Sequence, residues 1–306
     1  MSRAPANLPA SIRARLLNKA EQNREDFNLL LNRYGIERLL YRISQSPHRN
    51  RFILKGATLF TVWGGAPHRA TRDLDLLGSG DASIAGLIAV FKEVCAIPSE
   101  DGLVFDPETV TAAEIRTTDE YGGTRLNLRA TLDRARIDIQ IDVAFGDAVT
   151  PKAKSEDFPT ILELPAPRLR VYPRESVVAE KLEAIVKLGM LNSRLKDYYD
   201  LWYMSQRFEF DLDKLVAAVK ATFERRGTTL PKGQPAGLSD EYAADRARQT
   251  QWGAFRRRTA TDAPESLEAV IAAIRSFAGP VLAAAVGTAI AATWLPGGSW
   301  NTRQEG

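Results

Sequence analysis

Hydrophobic positions along this 306-residue chain change their spacing several times, and each change marks an element. In residues 1–50 they recur at helical intervals. Ser11 is placed to cap a helix carrying Ile12, Leu16 and Leu17. Phe27, Leu30, Leu31 and Tyr34 continue a helical face to Gly35, and Ile36, Leu39, Leu40 and Ile43 begin another that stops at Ser46-Pro47-His48. An apolar run, Phe52-Ile53-Leu54, then ends in Lys55-Gly56-Ala57. A short helix-like segment over 58–63 follows, and Gly64-Gly65-Ala66-Pro67 breaks it. Next comes Asp73-Leu74-Asp75-Leu76, whose alternation is that of a strand with acids on one face and leucines on the other. After a turn over 78–81, Asp81 or Ser83 can cap a helix with Ile84, Leu87, Ile88, Phe91 and Val94 on its apolar face.

Residues 97–120 are mixed and expected to contain strand. From residue 121 the alternation is clear: Leu126, Leu128 and Ala130 interleave with Arg125, Asn127 and Arg129, Asp133-Arg134 makes a turn, and residues 136–143 read RIDIQIDV. There Ile137, Ile139, Ile141 and Val143 face one way, Asp138, Gln140 and Asp142 the other. Residues 146–174 are proline-bearing and aperiodic, a linker and edge segment with positive charge at Arg168, Arg170 and Arg174. Pro173 and Glu175 suit a helix start. On that helix Val177, Lys181, Ile185 and Leu188 share one stripe; Glu180, Glu183 and Lys187 share a solvated one. Asn192 or Ser193 can cap a second helix with Leu195, Tyr198, Tyr199 and Trp202 on one side and Asp197 and Asp200 one turn apart. The remainder reads as helices interrupted over 227–238. The apolar stretch 277–295, rich in Ala, reads as a buried C-terminal helix more readily than as a membrane span. Three segments result: an N-terminal helical segment 1–50, a mixed α+β domain 51–172 and a helical domain 173–306.

Chemistry concentrates in residues 51–80. Asp73 and Asp75 project from one strand face and repel each other, a repulsion that a divalent cation with oxygen ligands relieves; Mg²⁺ carrying substrate phosphates is the commonest case. The preceding turn, Lys55-Gly56-Ala57-Thr58, offers backbone N–H groups to phosphate oxygens. Asp142 is the choice for a third carboxylate, with Asp138 in reserve. The bland alternative for both strands is a solvated face with acidic outer positions. Lys181, set among apolar neighbours, either snorkels to the helix edge or meets an anion. Asp197 and Asp200 by themselves suit ion pairs with Arg194 and Lys196.

Composition narrows the choices. A net charge of +3 excludes a histone-like electrostatic binder while leaving room for a local nucleic-acid surface such as the run Arg256-Arg257-Arg258. The single cysteine, Cys95, rules out an internal disulfide and fits a reducing cytoplasm. Two histidines, His48 and His68, are too few for a His-rich zinc site and poorly placed for a Ser-His-Asp hydrolase. The N-terminus lacks the apolar core of a signal peptide.

In order along the chain, KGATLF (55–60), TRDLDLL (71–77), IDVAFGD (141–147), AEKLEAI (179–185) and NSRLKDYYDLW (192–202) resemble the nucleotidyltransferase-type AbiEii toxin family, the toxin half of type IV toxin–antitoxin and abortive-infection systems. The resemblance runs from about residue 38 to 202, and FAGPVL (277–282) extends it. It implies an α+β fold, a polymerase-β-like nucleotidyltransferase mixed sheet with helices plus a mostly helical C-terminal domain. It further implies an NTP-consuming, Mg²⁺-dependent enzyme restrained by a cognate antitoxin protein, with the tRNA 3′ end as acceptor. By the same resemblance Gly56 belongs to the triphosphate turn, Asp73 and Asp75 to the metal, and Lys181 to the phosphates, while Asp197 and Asp200 position Lys181 or meet the base or sugar. Asp142 would help hold the metal and take the proton. Where related nucleotidyltransferases carry Gly-Ser, this chain has Gly56-Ala57, so Thr58 or backbone N–H groups must replace the serine hydroxyl. The alternatives are the same transfer to a small molecule or protein hydroxyl, and a nucleotide-binding regulator without turnover.

Overall fold

A computed structural model of the chain describes residues 7–115, 122–259, 262–287 and 291–302. The chain divides into two compact units, one of residues 1–146 and 154–171, the other of residues 147–153 and 172–306.

The first unit opens with α1 (Leu8–Asn23) and α2 (Phe27–Gln45). Asn7, not Ser11, caps α1: its side chain accepts a hydrogen bond from the Ala10 amide, and Pro9 occupies the first turn, where a missing N–H costs nothing. Asp26 caps α2, which runs unbroken through Gly35. That glycine does not end a helix. A Cβ there would come within 3.0 Å of Ile137 and 3.1 Å of Ile139, so its bare backbone lets α2 lie close on the sheet. The helices of residues 1–50 thus belong to the same compact unit as the strands.

Those strands are β1 (Phe52–Lys55), β2 (Asp73–Gly78), β3 (Leu103–Ile115), β4 (Gly123–Leu132), β5 (Ala135–Phe145), β6 (Lys154–Asp157) and β7 (Arg168–Val171). Between them lie α3 (Leu59–Gly64) and α4 (Ile84–Cys95), the latter capped by Ser83. They form one sheet in the order β3-β4-β5-β2-β1-β7-β6, in which the β2–β5 and β1–β7 pairs are parallel and the rest antiparallel. The expected alternation holds on β5: Ile137, Ile139, Ile141 and Val143 are buried on the face that α2 covers, and Asp138, Gln140 and Asp142 take the other. Residues 146–174, expected as a linker and edge, supply β6 and β7, four residues each and too short for a periodic signal. Residue 121, where strand alternation was expected to begin, lies outside the described residues.

The second unit holds α5 (Arg174–Leu188), α6 (Leu195–Arg207), β8 (Phe210–Asp211), α7 (Leu212–Arg225), α8 (Asp240–Ala244), α9 (Arg246–Thr259), α10 (Leu267–Val286), β9 (Ala292–Trp294) and β10 (Trp300–Thr302). Neither Asn192 nor Ser193 caps α6. Asn192 is fully buried, accepts from the Arg194 amide at 2.8 Å, and its carbonyl accepts from the Tyr242 hydroxyl at 2.7 Å. Glu183, expected on a solvated stripe, is buried because α7 packs along α5, and it accepts hydrogen bonds from Arg226 and Thr228. Lys187 on that stripe is exposed, as expected. The stretch 277–295 is not a single helix. α10 ends at Gly287, residues 288–290 lie outside the described residues, and β9 joins β8 and β10 in a small sheet that periodicity did not announce. By length and composition α10 could cross a membrane, and half of its apolar window is buried in the protein.

Candidate active site

The parallel register of β2 and β5 brings Asp75 opposite Asp142 and Asp73 opposite Gln140. Register partners on neighbouring strands point to the same face, about 5 Å apart. Asp75 and Asp142 are therefore side by side, with Asp73 two residues along. Leu74, Leu76 and Ile141 are buried on the other face, while Asp73 and Asp75 are half-buried. The row continues in both directions. On one side Lys55 of β1 is the register partner of Asp75; on the other Arg125 of β4 is that of Asp142. Arg125 closes on Asp142 through two hydrogen bonds, 2.8 and 2.7 Å. That bonding raises the Arg125 pKa above its ordinary value, and the charges of Asp142, Asp73 and Asp75 all reinforce the shift against partial desolvation. Across four strands the row reads cation, anion, anion, cation.

Asp138, the reserve carboxylate, is not in this row. It pairs with Arg129 at 2.9 Å and is largely exposed, two register steps from Gln140's neighbour Asp73. Among the described residues no group of three or more His, Cys, Asp or Glu side chains is gathered so as to hold an ion. Arg125 occupies both oxygens of Asp142. The donor set still suits Mg²⁺, which takes one or two carboxylates and completes its shell with water and substrate phosphates.

The turn Lys55-Gly56-Ala57-Thr58 lies directly against these acids. Gly56 has φ +74°, and a Cβ added there would fall 1.9 Å from an Asp75 carboxylate oxygen. Only glycine fits, for conformation and for space. The amides of Leu59, Phe60 and Thr61 bond back to the carbonyls of Gly56, Ala57 and Thr58, so they are not available to a ligand. The Thr58 hydroxyl is buried and, among the described residues, has no hydrogen-bond partner. A buried hydroxyl left unsatisfied is uncommon, and it sits at the position expected to replace the missing serine.

In the second unit Lys181 of α5 meets two carboxylates of α6. Its Nζ is 2.9 Å from Asp197 and 2.7 Å from Asp200, and Arg194 reaches Asp197 at 2.6 Å. Asp197 and Asp200 are fully buried, and Lys181 is 14% exposed. Burial alone would push the Asp197 pKa up; Lys181 and Arg194 outweigh it and hold the carboxyl below its ordinary value. The anion expected near Lys181 is thus supplied by the protein. Of the two partners expected for the acids, Arg194 is observed, with Lys181 taking the larger share.

A family model for the AbiEii nucleotidyl transferase toxin of type IV toxin–antitoxin systems matches residues 38–276. The chain belongs to that family. Among solved structures, JHP933 from Helicobacter pylori is similar over 83% of this chain and 92% of its own, with a TM-score of 0.50 and 16% identity. A candidate nucleotidyltransferase from H. pylori is similar over 83% and 95%, with a TM-score of 0.44 and 16% identity. No curated protein sequence matches. The first likeness supports the fold: a mixed sheet with many helices, as the sequence led us to expect. As an AbiEii member the chain is a nucleotidyl transferase, and a type IV system implies a cognate antitoxin.

One residue of this charged row was not singled out from the sequence. Arg125 was seen only as a polar position, yet a two-residue turn at Asp133-Arg134 fixes the hairpin register. Counting outward from the Leu132–Ala135 pair gives Arg129 with Asp138 and Arg125 with Asp142. The signal was available in the turn length.

Proposed function

We propose that this AbiEii protein transfers a nucleotide from an NTP to an acceptor hydroxyl in a Mg²⁺-dependent reaction, with the tRNA 3′ end as acceptor, in the cytoplasm. The observation that carries it is the register pairing of Asp75 with Asp142, with Asp73 on the same face, beside the glycine turn. Asp73, Asp75 and Asp142 are the residues that would hold the cation, which when bound supplies charge neutralisation at the phosphoryl oxygens. The turn Lys55-Gly56-Ala57-Thr58 receives the triphosphate, with the unsatisfied Thr58 hydroxyl as a donor to phosphate. Asp142, released by Arg125, accepts the proton of the attacking hydroxyl. The acceptor oxygen bonds to the α-phosphorus, the α–β bridge breaks, and pyrophosphate leaves. Positioning and electrostatics supply the acceleration. Lys181 is proposed as a phosphate-neutralising cation, and Asp197 and Asp200 as the residues that position it. The type IV setting supports a toxin role.

Incubating the purified protein with Mg²⁺, labelled nucleoside triphosphates and total tRNA tests this. Label appearing on tRNA 3′ ends is the expected result. Label on protein or small molecules would move the acceptor, and nucleotide binding without pyrophosphate release would replace the enzyme with a regulator.

A further inference from the structure

A polar cleft of the first unit lies where α2 gives way to β1 and where β6 and β7 pair. It has a volume of about 480 Å³, and three of its lining residues are arginines: Arg49, Arg168 and Arg170. The remaining lining is neutral and polar, Gln45, Asn50 and Ser155 among it. Arg170 donates to the Asn50 carbonyl at 3.1 Å, which aims its guanidinium without neutralising it. Among the described residues neither Arg49 nor Arg170 makes an ion pair. Arg168 pairs with Asp157 at 3.0 Å, but both partners are about two-thirds exposed, and such a pair is readily exchanged for another anion.

We propose that this cleft binds the phosphate backbone of an RNA strand. Three guanidinium forks in a space of this size suit several phosphate groups. The lining residues include no aromatic or apolar side chain on which a base could stack, so the recognition is of backbone and not of sequence. A mononucleotide, which draws much of its affinity from its base, is poorly served by the same walls. Arg170 is the register partner of Ile53, two residues from Lys55 on β1, so its backbone lies roughly 12 Å from that of Asp75 by sheet spacings. A short stretch of RNA spans that interval.

The identity of the ligand rests on the polynucleotide-acceptor reading above; the binding does not depend on metal or turnover. The test is fluorescence anisotropy of labelled tRNA against the full-length protein over a range of salt. Combined Arg49→Gln, Arg168→Gln and Arg170→Gln should weaken binding at least tenfold near 0.1 M salt and reduce the log–log salt slope by about 2 to 3. The double variant Arg49→Gln, Arg168→Gln removes only exposed side chains and should lower the slope by about 1 to 2, so misfolding cannot explain the effect. Unchanged affinity and slope in both cleft variants, absence of RNA binding by the unaltered protein, or full competition by millimolar ATP would each overturn the inference. Intact RNA binding with no transfer to tRNA would instead remove the acceptor assignment and leave the cleft standing.

Discussion

The two charged clusters of this AbiEii protein use the same ingredients, a cation set against two aspartates, in opposite environments. In the sheet, Arg125 holds Asp142 beside Asp75 with side chains 43% and 20% exposed. In the helical unit, Lys181 holds Asp197 and Asp200, which are 1% and 0% exposed. A partly solvated pair is worth little and can exchange partners, because water already stabilises each charge. A buried set cannot be opened cheaply, because removing one member leaves an uncompensated charge in a poor solvent. The first arrangement is suited to receiving a metal ion and phosphates; the second is suited to fixing an amine in place.

The largest expected effect breaks the first cluster chemically. Asp75→Asn should abolish transfer, by more than the roughly 10- to 100-fold that losing an outer-shell partner of a metal costs, while the melting temperature stays within a few degrees. Retained activity would remove the metal-site reading. Next, Lys181→Ala removes the ammonium that pairs with both buried carboxylates and should cost about 3–5 kcal/mol of stability by denaturant titration. Lys181→Met combined with Asp200→Leu should recover much of that stability without recovering transfer. Recovery of both would leave Lys181 a purely structural residue. Lys187→Ala, on the exposed stripe, should change stability by less than about 0.5 kcal/mol and leave activity intact. Equal losses at 181 and 187 would mean the two stripes of α5 do not differ as described.

A third buried charge sharpens the contrast through pH. Burial lifts the Glu37 carboxyl to about 7 from an ordinary 4.5, against the pull of Arg38 and the Ile161 amide. The folded chain therefore holds this proton more tightly than the unfolded one. Its contribution is fully present below about pH 4.5 and is lost as pH rises to about 7, on the order of 3 kcal/mol. Glu37→Gln should flatten that decline in denaturation midpoints between pH 5 and 8; an unchanged decline would place the titration elsewhere. Arg125→Gln should cost at most about 1 kcal/mol, since its pair is open to water. A loss matching that of Lys181→Ala would erase the distinction between the clusters.

Much of this was legible in sequence, where one face of an element differs sharply from the other. Alternation identified β2 and β5 and the side on which Asp73, Asp75 and Asp142 project, and helical phase separated Lys181 from Lys187. What stayed hidden depends on contacts made across the fold. Gly35 looked like a helix end because a glycine's role in close helix–sheet packing has no local signature. Asn192 looked like a cap because its burial arises from Tyr242, fifty residues on. Glu183 looked solvated until Arg226 arrived on a later segment. The strands β6 to β10 apart from β7's apolar pair are too short or too polar to show a period, and the basic cleft draws its arginines from segments more than a hundred residues apart.

We propose that Asp73, Asp75 and Asp142 form a divalent-cation site completed by nucleotide phosphates. Electron paramagnetic resonance titration of Mn²⁺, with a non-hydrolysable nucleoside triphosphate present, measures it without requiring turnover. The unaltered protein should take up Mn²⁺ beyond what the nucleotide alone binds, and Asp75→Asn should lose that added affinity by at least tenfold while remaining folded. Equal Mn²⁺ uptake by the two proteins would contradict the claim.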